Sequence, residues 1–244
     1  MRILFISFLL MTLSGALSAQ PVQRPVKEFF VLGTMQDYMG RLVRQNGNEL
    51  DIYYRVEKPI VLALNAMLPN IYPYADVKLD VQMRANGDTS GFKLTCDTIA
   101  RRINAYYDYT QPHYHVKLKD DIFRTDDERL AFIAGAYARF GARCDTAWCI
   151  SIANSIAKTK MLNSLLKYFG CKSIEIVKTD YIPVGHWLYF HPTKKVEAYL
   201  QQYVPLNREQ QAYQESYFQQ MLKQVRERAT QRKAKQDSAS VKKN

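Results

Sequence analysis

The residues best suited to chemistry crowd into one stretch, 142–193. It carries Cys144, Cys149 and Cys171, both tryptophans (Trp148 and Trp187), and His186 and His191. Asp145 or Thr146 can cap a helix ahead of Cys149. The run Ile152, Ile156, Leu162, Leu165, Leu166 and Phe169 continues that helix until Gly170 stops it. This predicts Cys149 in a helical first turn, where unpaired N–H groups and the helix dipole favour a thiolate. His186 follows on a β-like run, Gly185-His186-Trp187-Leu188-Tyr189-Phe190-His191. A thiolate within reach of an imidazole makes a nucleophile and a general base. The plainer alternative is a core or disulfide cysteine, because Cys149 shares a helical stripe with Ile152, Ala153 and Ile156. Four cysteines allow three pairings, and a Cys144–Cys149 bridge would close only a short loop.

The order of these parts is a cysteine at a helix start, a long helix ending Leu165-Leu166-Lys167-Tyr168-Phe169-Gly170, a strand, then Gly185-His186-Trp187 on another strand. It resembles the core of transglutaminase-like and papain-like cysteine proteins over about fifty residues. The resemblance implies Cys149 as nucleophile and His186 as base in a peptide or amide hydrolase or transferase. Those families orient the histidine with a downstream Asp or Asn. Here the first such residue after His186 is Asn207, which the sequence places at a helix start.

Other ligand patterns are thin. His113 and His115 alternate onto one polar strand face, but spacing supplies no third ligand, so no metal is expected. There is no Cys-x-x-Cys pair, phosphate loop or dinucleotide fingerprint, and no cofactor is expected.

The elements that must position these residues read as α+β: a mixed, mainly antiparallel sheet against several helices, with a trailing amphipathic helix. Residues 1–19 have the form of a signal peptide, with Arg2, an apolar run from Ile3 to Leu13 and small residues to Ala19. An extended lead-in is expected over 20–27, a single α+β domain over 28–204, a basic amphipathic helix over 205–231 and a disordered basic tail over 232–244. Within the domain, Glu28–Thr34 reads as β-rich, and Arg41–Arg55 as a hairpin turning at Asn46-Gly47. Pro59 opens a buried helix. Val77–Arg84 alternates as a strand and returns through Asn86-Gly87. Thr125 with Glu128 forms a capping box ahead of Leu130–Phe140. No part of the sequence repeats another.

Formal net charge is +11, and residues 205–244, with nine Lys/Arg and four Asp/Glu, hold much of the excess. Together with the leader, this predicts an exported soluble cell-envelope protein, periplasmic or secreted, built as a binding or structural domain. Expected partners are an envelope protein, anionic lipid or polysaccharide met by the basic helix, or a second copy, with no nucleic acid. The thiol enzyme of Cys149 and His186 is the alternative.

Overall fold

The computed structural model describes residues 25–37, 41, 45, 47–110, 116–180 and 182–241, with side chains through residue 232. The signal-peptide segment, Asn46, and both His113 and His115 lie outside the described residues.

Two helices that are remote in sequence form the centre, α1 (Val26–Thr34) and α4 (Asp126–Phe140). Every residue of α1 from Glu28 to Thr34 is buried. The run Phe29-Phe30-Val31-Leu32 thus belongs to a helix, where the sequence reading expected a strand. A short, unbroken apolar run has no period by which to tell the two apart. What decides is the partner. A Cβ on Gly33 would stand 2.1 Å from the Phe132 carbonyl oxygen, and one on Gly135 would stand 2.0 Å from that of Phe30. The two backbones touch through reciprocal glycines, at a spacing no side chain can enter. The capping box is present: the Glu128 N–H donates to Thr125 Oγ1, and the Glu128 carboxylate accepts from the Thr125 N–H.

Among the described residues each central helix is followed by strand, helix, two strands and helix, with one extra strand directly after α4. After α1 come β1 (Glu49–Tyr54), a 3-10 turn (Arg55–Glu57), α2 (Lys58–Ile71), β2 (Lys78–Met83), β3 (Thr89–Thr95) and α3 (Asp97–Asn104). A small ladder of β4 (Tyr107–Asp108) and β5 (Lys117–Leu118) leads into α4. After α4 come β6 (Gly141–Cys144), β7 (Ala147–Ala153), α5 (Ile156–Tyr168), β8 (Lys172–Lys178), β9 (Gly185–His191) and α6 (Lys194–Gln201). The sheets are ordered β1-β3-β2 and β6-β7-β9-β8. The pairings β1-β3 and β2-β3 are antiparallel, as are β7-β9 and β8-β9. The order β1-β3-β2 thus recurs as β7-β9-β8, a shared topology that the sequence does not announce, and β6 is added at the edge of the second sheet. The α+β class read from the sequence holds, and one continuous apolar core runs from Phe29 to Val204.

The final helix, α7 (Val204–Val241), starts earlier and runs longer than expected. Pro205 sits in its first turn, where a missing N–H leaves nothing unpaired. Helix continues through residues read as a disordered tail. Asn207 does not act as a cap. It is buried, and its Nδ2 donates to the carbonyls of Tyr137, Ala138 and Gly141 at the end of α4.

Gly135→Ala forces the two central backbones apart and should destabilise the fold by about 1–3 kcal/mol or more. Gly87→Ala, at a left-handed turn position (φ 83°) with open space around its Cβ, measures the cost of backbone strain alone and does not touch the helix pair. Chemical denaturation of both variants tests this, and a Gly135→Ala midpoint equal to that of the parent would overturn it.

Candidate functional site

The predicted thiol site is not assembled. Cys149 lies in the middle of β7, not at a helix start, and is bonded to Cys144 across the β6–β7 hairpin. The segment Trp148-Cys149-Ile150-Ser151-Ile152 alternates as a strand, and positive φ at Asp145 (51°) and Asn154 (56°) turns the chain on either side of it. The helix begins only at Ser155, whose Oγ accepts from the Lys158 N–H. No helix N-terminus acts on Cys149, and its sulfur is already spent. His186 is on β9 as expected, but it pairs with Ile152 while Cys149 pairs with Tyr189. Three positions along a pleated strand place the two residues on opposite sheet faces. Nδ1 of His186 is buried and makes no hydrogen bond within the described structure. Of the other cysteines, Cys96 is buried, and burial pushes the half-buried Cys171 thiol up from its ordinary pKa.

The charged groups that do converge lie where the central helices end. Arg139, in the last turn of α4, is fully enclosed. Its Nε and Nη2 donate to Glu57 at 2.8 Å each, and its Nη1 donates to Asp51 at 2.6 Å and to the Thr34 carbonyl at 2.7 Å. Burial opposes its charge, but Glu57 and Asp51 outweigh that and raise its pKa. Lys158 reaches from α5 to the end of α1, donating to the carbonyls of Leu32 at 3.2 Å, Gly33 at 3.1 Å and Met35. Its ammonium lies 3.5 Å from Asp37, which also accepts from the Tyr107 hydroxyl. Burial lowers the Lys158 pKa, and Asp37 restores it only in part. Arg41 donates to Asn104 and to the Leu50 and Glu49 carbonyls. These groups are closed off from solvent and hold one another and the helix ends, which is a structural assignment. The sequence signal was present but unread: Arg139 interrupts the apolar run Ala136-Tyr137-Ala138, and Lys158 sits on the buried side of α5.

A site open to a ligand lies elsewhere, between α5 and the segment 116–123. It is a cleft of about 770 Å³. Val116, Leu118, Phe123 and Leu165, all buried, form its floor, and Ala157 and Met161 line the α5 side. Lys117, Asp120, Arg129, Lys160 and Tyr168 surround the mouth. The residues of α5 facing it, 157, 161, 164, 165 and 168, recur at helical spacing beside the stripe that enters the core. The sequence shows an apolar arc broader than the core needs, but not what the second half of that arc faces.

No family model matches this chain, and no curated protein does. Solved structures with a similar arrangement are the homing endonuclease I-DmoI in complex with DNA and manganese (15% identity, TM-score 0.46, covering 68% of this chain and 89% of that one) and the same enzyme with DNA and calcium (13%, 0.44, 68% and 82%). Mesophilic variants of I-DmoI also match (12%, 0.46, 72% and 93%). The expectation of an exported envelope protein, periplasmic or secreted, is withdrawn alongside these matches, two of which are complexes with DNA. The partner set expected with it, including the exclusion of nucleic acid, is withdrawn as well. At TM-scores below 0.5 the likeness carries no argument about the activity of this chain.

Two expectations follow from the buried charges. Arg139→Met leaves Asp51 and Glu57 enclosed without their cation and should destabilise by about 3–5 kcal/mol, read by urea denaturation. For Lys158, the folded pKa lies below the ordinary 10.5, so in the interval beneath that value the unfolded chain binds this proton more readily than the folded one. Stability contributed by Lys158 should therefore rise with pH across the interval. Relative to Lys158→Met, the parent should gain stability as pH rises toward 10.5. A difference that shrinks over that range would contradict the assignment.

Proposed function

We propose that the protein binds an apolar small molecule in the cleft between α5 and residues 116–123. The observation that carries this reading is the cleft itself. Its volume falls within the range of small-molecule sites, roughly 300–1,000 Å³, and like them it has an apolar floor with a few polar groups at its edge. The scaffold around it is rigid where it matters. The Ser155 cap and the Lys158 anchor fix the first turn of α5, and β5 is pinned by its ladder to β4. The half-buried Met161 gives the wall a side chain that adapts to different shapes.

Titration with Nile red, a neutral dye that brightens on entering apolar surroundings, tests the reading. The parent should bind at micromolar dye. Ala157→Trp, which fills the cleft from a half-buried wall position, should weaken binding at least tenfold with an unchanged melting temperature. Equal binding by parent and variant would show that the dye sits elsewhere, for instance on the exposed apolar side chains of α7. Either that result or no binding at all would overturn the proposal.

A further inference from the structure

The charges at the mouth of the cleft narrow the ligand. The inference rests on the reading of the cleft as a binding site. Three cations and one carboxylate line the mouth. Lys117 is paired with Asp120 at 3.0 Å. Arg129 is held three ways: by Asp126 at 3.4 Å, by donation to the Phe123 carbonyl at 3.1 Å, and over the Tyr168 ring at 4.8 Å. Lys160 makes no ion pair or hydrogen bond with any described residue. It stands on α5 one turn after Ile156 and one turn before Ser164, is exposed, and lines the cleft.

We infer that the cleft takes an amphipathic anion, its apolar body on the floor of Val116, Leu118, Phe123 and Leu165 and its anionic head at Lys160. A neutral ligand gains nothing from Lys160, whose charge water already solvates, and a cationic one would be repelled. An apolar floor is non-directional and fixes no orientation. A single charge at the rim does, setting head outward and tail inward. Lysine offers a compact charge without the planar fork of arginine, so a carboxylate suits the site as well as a larger oxyanion does. Because Lys160 is solvent-exposed, the contact adds selectivity more than affinity, and salt weakens it.

The test uses matched ten-carbon ligands that displace Nile red from the full-length protein: decanoate, 1-decanol and decylamine. In low salt decanoate should compete about fivefold better than decanol, the size expected of one exposed charge pair, and decylamine should be the weakest. Lys160→Gln should abolish the preference for decanoate while leaving decanol unchanged, and Lys160→Arg should retain it. Failure of Nile red to bind would remove the cleft reading itself. Binding of dye and decanol with no advantage for decanoate would leave that reading standing and overturn this inference. A preference that survives in Lys160→Gln would likewise overturn the assignment to Lys160.

Discussion

Reciprocal contact between Gly33 and Gly135 is the constraint on which the rest of the structure depends. It lets the backbones of α1 and α4 touch, and so brings the two helix ends close enough for groups from one half to serve the other. Arg139 of α4 reaches the Thr34 carbonyl only because α1 lies against it. Lys158 reaches the end of α1 from α5, while Asn207 of α7 does the same for α4. Each central helix thus ends on a side chain donated by a later helix. Both arrangements satisfy carbonyls that a buried helix terminus would otherwise leave unpaired.

The charges enclosed there bear on specificity more than on raw stability. Removing one partner of such a group strands the others, whereas an apolar replacement of the whole group can be neutral. Arg139 bonds Asp51 of β1, Glu57 of the 3-10 turn and the carbonyl ending α1. An alternative packing of the two similar halves, shifted along the helix pair, would break all three contacts at once. Reactive chemistry has no foothold in this cluster, because no solvent reaches it and its cations are already engaged. The cleft beside α5 has the opposite character: open, apolar at the base, and with one cation, Lys160, that no described residue pairs.

Much of the fold was legible from sequence. The alternating strand at Val77–Arg84, the Thr125 capping box, the Pro59 helix and the strand of His186 all follow from local patterning, and the structure has them. What escaped was set by distant partners. Phe29-Phe30-Val31-Leu32 has no period, so only α4 decides that it is helical. Cys149 was misplaced because Ile152 and Ile156 fit a helical spacing, while the turn at Asn154, a positive-φ position, was not recognised as the boundary between β7 and α5. That one displacement moved Cys149 from a helix terminus into a strand and created a site that the fold does not form. The cleft was invisible for a related reason: α5 shows its apolar residues in sequence, but not which of them the segment 116–123 leaves uncovered. The repeated topology left no trace in sequence because hydrophobic alternation and turns specify it as well as residue identity does.

The wiring of the centre has a consequence for how the chain reaches its native state. The bonds that define it join residues far apart: 105 positions separate Arg139 from Thr34, 126 separate Lys158 from Leu32, and 154 separate Gln210 from Val56. Loops of that length close before any of these contacts can repay the lost entropy, and chains dominated by such pairings fold slowly. Either half can gather its own sheet, yet neither can bury its central helix alone. A polypeptide emerging in order therefore carries α1 with its most apolar face uncovered until α4 has followed, and α4 with its end uncapped until the first turns of α7 arrive.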